Sequence, residues 1–284
     1  MPLKNILVHV DGTTPSQARF DLAAELARQH GAHLTALFVI DPFPPSLLGA
    51  STGGFSDGGV LAGLMQQLEQ EAREAAALVQ ARVEEAFRRE GVTGEWRVVT
   101  GVPSTTVALH ARYVDLAILG QHNPDRVDDL DDTSVIEQTL FTSGRPVLVV
   151  PYAGHFKTAG RRALVGWNAS RESARAVNDA LMLIQAGESV TILTVDAEGD
   201  RAHGEVPGAD IATHLARHGL TVLTKQTSAA AVSIADVMLN QASDSAADLL
   251  VIGAYGHSRV REMILGGVTR SLLQQMTIPV LMSH

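Results

Sequence analysis

The chain has 284 residues, of which 45% are hydrophobic and 19% charged, with a formal net charge of −9; this supports one or two packed cores and, at this length, favours two domains. The acidic balance, with no cluster of Lys and Arg, excludes a nucleic-acid surface, because phosphate backbones are held by grouped basic side chains. There is no cysteine, which excludes disulfides, thiolate metal sites and cysteine nucleophiles and fits a reducing compartment.

The opening "MPLKNILVHV" enters a strand without a signal-peptide pattern, and no apolar run is long enough to cross a bilayer, so a cytoplasmic location without membrane contact is expected. Hydrophobic periodicity places strands near residues 4–10 and 33–40 with a helix near 14–30 between them. Residues 41–62, rich in Gly, Ser and Pro, read as a long loop, either decoration or a lid. A long amphipathic helix near 63–90 comes next, then strands near 94–100, 115–119 and 146–150 and helices near 103–113 and 133–143. In "AGLMQQLEQEAREAAALVQARVEEAFRRE" the apolar Leu64, Leu68, Ala72, Ala75, Val79 and Val83 fall near one face. The helix is longer than one domain needs, and its surplus end suggests a homodimer contact. Residues 152–160, "YAGHFKTAG", form a short link. Further strands are expected near 162–167, 189–195, 220–226, 248–252 and 279–283.

The second half repeats the first. "KNILVHVDGTTPSQARFDLAAELARQHGAHLTALFVID" aligns with "RALVGWNASRESARAVNDALMLIQAGESVTILTVDA", and "DLAILGQHN" with "GRPVLVVP" aligns with "DLLVIGAYG" with "TIPVLMSH". Each copy alternates Val/Ile/Leu-rich runs with amphipathic stretches, which predicts an α/β fold in which each copy is a five-stranded parallel sheet with helices on both faces. The copies divide the chain into domains 1–152 and 160–284. Ligands of such folds sit at the carboxyl ends of the strands.

In "GAYGHSRVREMILGGVTRSLL", residues 253–273, four glycines surround a strand-to-helix crossing. A helix beginning near Gly266 exposes N–H groups at residues 267–269 and the positive end of its dipole, an anion site in the making. The other reading is a tight turn that binds nothing. Arg259, Arg261 or Arg270 could neutralise a phosphate or be solvated charges. Other chemistries lack their marks. His214 and His218 stand four apart without a third zinc ligand, His257 and Ser258 are neighbours rather than a nucleophile facing its base, and the dinucleotide and Walker motifs are absent.

The whole chain, apart from the 41–62 loop and the link, resembles the universal stress protein family in its tandem form. The resemblance implies two Rossmann-like, adenine nucleotide alpha hydrolase-like domains. Nucleotide-binding members carry a glycine, two residues, a glycine, nine residues, then a glycine followed by Ser or Thr; Gly253, Gly256 and Gly266 hold the three glycine positions. Gly267 stands where the hydroxyl residue is expected, with Thr269 two residues on. Asn168 stands where binders have an Asp that meets the adenosine, and Val195 marks the second-strand end whose backbone holds the adenine edge. Read alone, Asn168 is an Asx turn and Val195 a core side chain. The first copy keeps Asp11, but Asn123 replaces the second glycine, and Asp125, Asp128, Asp129, Asp131 and Asp132 would repel a polyphosphate unless a cation intervened. This half is expected not to bind nucleotide, with Asp11 a turn or helix cap and the acidic run a solvated surface rather than a calcium loop.

The function that the resemblance implies is an adenine-nucleotide sensor in the stress response, with ATP, accompanied by magnesium, in the second domain. No catalytic base or protein-held metal site is identified, so slow ATP hydrolysis lacks a candidate residue. The alternative is a dimeric interaction scaffold without ligand, favoured by Gly267 and Asn168. The protein partner and the stress signal are not legible.

Overall fold

The computed structural model describes residues 2–43, 58–124, 132–196, 208–229, 232–254 and 267–284, with the backbone alone at 58–61 and 132. The described residues form two compact units, Leu3–Arg145 and, in essence, Pro146–His284.

The N-terminal unit runs β1 (Asn5–Val10), α1 (Thr14–His30), β2 (His33–Ile40), α2 (Gly58–Glu90), β3 (Gly94–Thr100), α3 (Pro103–Ala111), β4 (Leu116–Gly120) and α4 (Asp132–Thr142). Its strands lie in the order β3-β2-β1-β4, with parallel pairing from β3 to β4. The apolar runs explain that order. β1 and β4 are buried along nearly their whole length, whereas β3, at the edge, is half-buried or exposed and carries Glu95 and Arg97. Thr13 caps α1 by accepting the Ser16 N–H at 3.2 Å, and Gly31, at φ 60°, ends the helix in the left-handed conformation that a residue without a β-carbon adopts at least cost. Phe20 of α1 meets Phe87 of α2 with ring centres 5.8 Å apart, tying the long helix to the core.

α2 begins five residues before the expected start, inside the stretch read as loop, because Val60, Leu61 and Ala62 continue the helical sequence after Gly58 and Gly59. Between residues 62 and 75 no residue of α2 is buried, whereas Ala76, Val79, Val83 and Ala86 are.

The C-terminal unit runs β5 (Val147–Val150), β6 (Arg162–Gly166), α5 (Arg171–Ala180), β7 (Ser189–Val195), α6 (Ala209–Arg217), β8 (Thr221–Thr227), α7 (Ile234–Asp244), β9 (Leu249–Gly253), α8 (Val268–Gln275) and β10 (Val280–Ser283). The order is β5-β10-β9-β6-β7-β8, parallel except that β5 and β10 are antiparallel, with Val149 opposite Val280 and Leu148 opposite Leu281. β5, which the repeat pattern groups with the first copy, thus packs with the second. Both strands are wholly buried, and apolar but for Ser283, and pairing them removes two edges that would otherwise invite association. The far edge, β8, is polar, with Thr224, Lys225 and Gln226.

Candidate functional site: two strand-end crevices

In each unit the connections leave neighbouring central strands toward opposite sides of the strand order. This happens between β1 and β4 in the first and between β6 and β9 in the second. At such a switch point the crossovers diverge and leave a crevice outside the carboxyl ends of the strands. The residues there are Asp11 and Gly120 in the N-terminal unit, Asn168 and Gly253 in the C-terminal unit.

In the C-terminal unit, the Asn168 side-chain oxygen accepts the Ser170 N–H at 3.2 Å, an Asx turn, and the Ser170 hydroxyl accepts the Ser173 N–H at 3.1 Å, capping α5. Ala169 between them has φ 55°. One strand over, Val195 is half-buried and Asp196, at φ 51°, succeeds it. The Asp196 carboxylate accepts from the Ser228 hydroxyl at 2.6 Å and the Ala229 N–H at 3.0 Å, and these bonds hold its acid below the usual range. A non-glycine residue in this region costs on the order of 1 kcal/mol or more. Among the described residues, only Ala246 shares this backbone, and it lies just after α7.

Gly253 has a packing reason. A side-chain carbon there would overlap the Ser173 backbone nitrogen and lie 2.9 Å from Cβ of Glu172, so the first turn of α5 rests directly on the end of β9. The next residue, Ala254, donates its N–H to the Ser283 carbonyl at 2.9 Å, and its own carbonyl lies 3.0 Å from Nδ1 of His284. Glu172 is buried and pairs with Arg171; burial pushes its acid up, but the Arg171 guanidinium outweighs this and holds it below the usual range.

Gly267 caps α8 and, having no side chain, leaves the helix start without a side-chain acceptor. The first intrahelical bond runs from the Ser271 N–H to the Gly267 carbonyl at 3.1 Å, so the N–H groups of Val268, Thr269 and Arg270 precede it. Thr269 is buried and Arg270 exposed. Gly256 and Gly266, with Arg259, Arg261, His257 and Ser258, lie outside the described residues, as does the acidic run 125–131 of the first copy. Asn168, Val195 and Gly253 therefore stand at the ends of three neighbouring strands, and Gly267 and Thr269 at a helix start. The strain at Ala169 and Asp196 was not legible in the residue types, although an Asp closing the second strand of each copy was. Glu172 had no signal beyond coming after a capping Ser.

In the N-terminal unit Asp11 does close a turn and lead into a helix cap. Its Oδ1 accepts the Thr13 N–H at 2.7 Å and its Oδ2 accepts from Arg19 Nη2 at 2.9 Å. Burial acts to raise the Asp11 acid, but the Arg19 guanidinium and the Thr13 hydrogen bonds outweigh it and hold it low. His9 is lowered to about 4, first by burial and then by Arg19, with Asp11 opposing. Elsewhere, His214 and His218 pack edge to face with ring centres 4.9 Å apart.

Two α/β units with opened switch points define a tandem Rossmann-like protein. The profile of the universal stress protein family matches residues 2–151 and 160–284, and the chain belongs to that family, with two tandem domains. It is similar to a universal stress protein from Archaeoglobus fulgidus DSM 4304 at a TM-score of 0.72 and 19% identity, covering 98% of this chain and 95% of that one. It is also similar to a protein of unknown function from Pseudomonas aeruginosa PAO1, at a TM-score of 0.57 and 16% identity over 99% and 92% of the two chains. In sequence it matches the universal stress protein Slr1230 of Synechocystis sp. (strain ATCC 27184 / PCC 6803 / Kazusa), 41% identical over 46 residues, which are 16% of this chain and 16% of that protein.

Proposed function

We propose that this universal stress protein is an adenine-nucleotide sensor that takes ATP in the strand-end crevice of its C-terminal unit. The observation that carries the reading is the pair of strained residues, Ala169 and Asp196, at the ends of the adjacent strands β6 and β7. Backbone held in a costly conformation collects where a ligand is met, because the rest of the fold must over-determine it. Asn168 and Val195, the residues that the family resemblance assigns to the nucleoside, directly precede these two.

The phosphates would meet the first turn of α8, whose N-cap Gly267 lets an anion come close to the backbone. Glu172, buried against Gly253, repels a bare polyphosphate and so favours its magnesium complex. Magnesium would supply charge neutralisation there; Asn168 and the α8 amides would orient the nucleotide. Binding would order the surface that a partner protein reads, provided the ordered form binds that partner better. A ligand-free interaction scaffold is the second reading, favoured by the same Glu172 carboxylate and by Gly267.

Calorimetric titration of the full chain with ATP and magnesium tests the choice. Replacing Gly256 or Gly266 by Val should abolish the heat of binding and Thr269→Ala should cost less, since backbone groups are the donors. Affinity unchanged in both glycine variants would remove the cradle, and no heat from the wild-type chain would leave the scaffold.

A further inference from the structure

In the N-terminal unit the corresponding crevice already holds a side chain. Arg19, eight residues beyond Asp11, is 5% exposed and donates from Nη2 to the Asp11 carboxylate at 2.9 Å. The same guanidinium lies on Gly120: a side-chain carbon at that glycine would overlap Nη1 and stand 3.0 Å from Cζ. One planar cation thus joins the carboxyl ends of β1 and β4, the two strands that define the switch point. Eight residues beyond Asn168 in the other unit stands Ala176, fully buried and too short to reach across. There the glycine at the strand end is met by the backbone of α5 instead, and Asn168 bonds only to its own turn among the interactions described.

We propose that Arg19 is a built-in occupant of the N-terminal crevice, taking the place a ligand would take, so that this unit binds no nucleotide and one chain binds one at most. The choice of ATP as probe rests on the function proposed for the C-terminal unit. Three features make the occupancy effective. The carboxylate that could accept from a ligand hydroxyl is already engaged on both oxygens, by Arg19 and by the Thr13 N–H. The strand-end glycine is covered by the guanidinium itself, a charged side chain lying where the C-terminal unit has the start of α5. The pair is also hard to open from one side, since drawing the buried guanidinium away leaves a half-buried carboxylate without its counter-charge. His9 adds no second cation, because burial beside Arg19 keeps its ring neutral at physiological pH.

The test counts nucleotide sites on the full chain by equilibrium dialysis with ATP and magnesium, in the wild type, in Arg19→Ala, and in Asp11→Asn combined with Arg19→Ala. The double variant carries the residue types of the C-terminal unit at both places and leaves no charge buried alone, so it serves if the single variant does not fold; circular dichroism and urea unfolding report folding. The expected result is one additional site per chain, whether the wild type holds one or none. Methylguanidinium at millimolar concentration should compete for the added site and not for any site the wild type has. An unchanged number of sites in the folded double variant, or two sites in the wild type, overturns the proposal. A wild type with no site overturns only the reading of the C-terminal unit, and the increment still decides this one.

Discussion

Asp248 accepts the backbone N–H of Arg162 at 2.9 Å, fastening the start of β6 to the start of β9. The same carboxylate takes the N–H groups of Gly160 at 3.1 Å and Arg161 at 3.2 Å and the Thr158 hydroxyl at 2.7 Å, so it gathers the end of the link onto the sheet. Asp115 does the equivalent work in the other unit, accepting from Lys4 at 2.8 Å and Asn5 at 2.9 Å. Asp248→Ala should lower stability by about 2–3 kcal/mol and Asp248→Asn by about half of that, since the amide keeps one acceptor oxygen but no charge. Urea unfolding of the two variants measures both. A loss under about 0.5 kcal/mol in the Ala variant would mean that the segment is held by other contacts.

His9 makes stability depend on pH in a defined window. Its folded-state value, about 4, lies below the unfolded value of 6.5, so the unfolded chain takes up the proton first. The contribution is complete above pH 6.5 and is lost as pH falls toward 4. Asp11, also depressed, keeps its contribution above its ordinary value and loses it at still lower pH. His30 and His110, lowered chiefly by burial, add to the His9 window. The His9→Asn variant should therefore lose part of the slope between pH 6.5 and 4, a difference of about 2–3 kcal/mol across the window at most. Parallel slopes for variant and wild type would contradict this.

Two substitutions separate strain from binding in the C-terminal unit. Ala169→Gly removes the β-carbon from a left-handed position and should raise stability by up to about 1 kcal/mol while weakening ATP about threefold to tenfold, because the turn is no longer held in place. Gly267→Ser supplies the hydroxyl that the family motif carries there and should strengthen ATP several-fold. As a helix cap it should change stability by only a few tenths of a kcal/mol, roughly the difference between Ser and Gly at that position. Melting curves and calorimetry together report each pair of effects.

Glu172→Gln tests the requirement for magnesium. Removing the charge beside Gly253 should bring the affinity for free ATP closer to that for the magnesium complex, by roughly tenfold if an effective dielectric near that of a protein surface applies. The comparison is two titrations, with magnesium and with a chelator, for variant and wild type. An unaltered ratio would place the phosphates away from this carboxylate.

The chain should be a homodimer through the first turns of α2. Leu64, Met65, Leu68 and Ala72 are half-buried there, while Ala76, Val79, Val83 and Ala86 face the core. Light scattering at micromolar concentration should give twice the chain mass, and Leu68→Glu should halve it. A monomer in the wild type ends the idea.

The fold was legible because buried parallel strands leave uninterrupted apolar runs, as in "LAILG" and "LLVIG", and because the copy repeats them in order. The start of α1 was legible near residue 14, and Thr13 caps it. The start of α2 was not, since Gly58 and Gly59 signal a loop and the helix takes them in as its first two residues. At the site, glycine spacing drew attention to Gly253, yet its absent side chain accommodates α5 as well, and residue identity alone does not distinguish an anion from a helix turn as the neighbour. Arg19 could not be read at all. Its contacts with Asp11 and Gly120 emerge only once β4 pairs beside β1.

The rim strands carry a further consequence. β3 carries Glu95 and Arg97 and β8 carries Lys225 and Gln226; β8 is largely exposed and β3 half-buried or exposed. These charged and polar side chains stand beside the exposed Val98 and Leu223 and discourage sheet extension by a foreign chain.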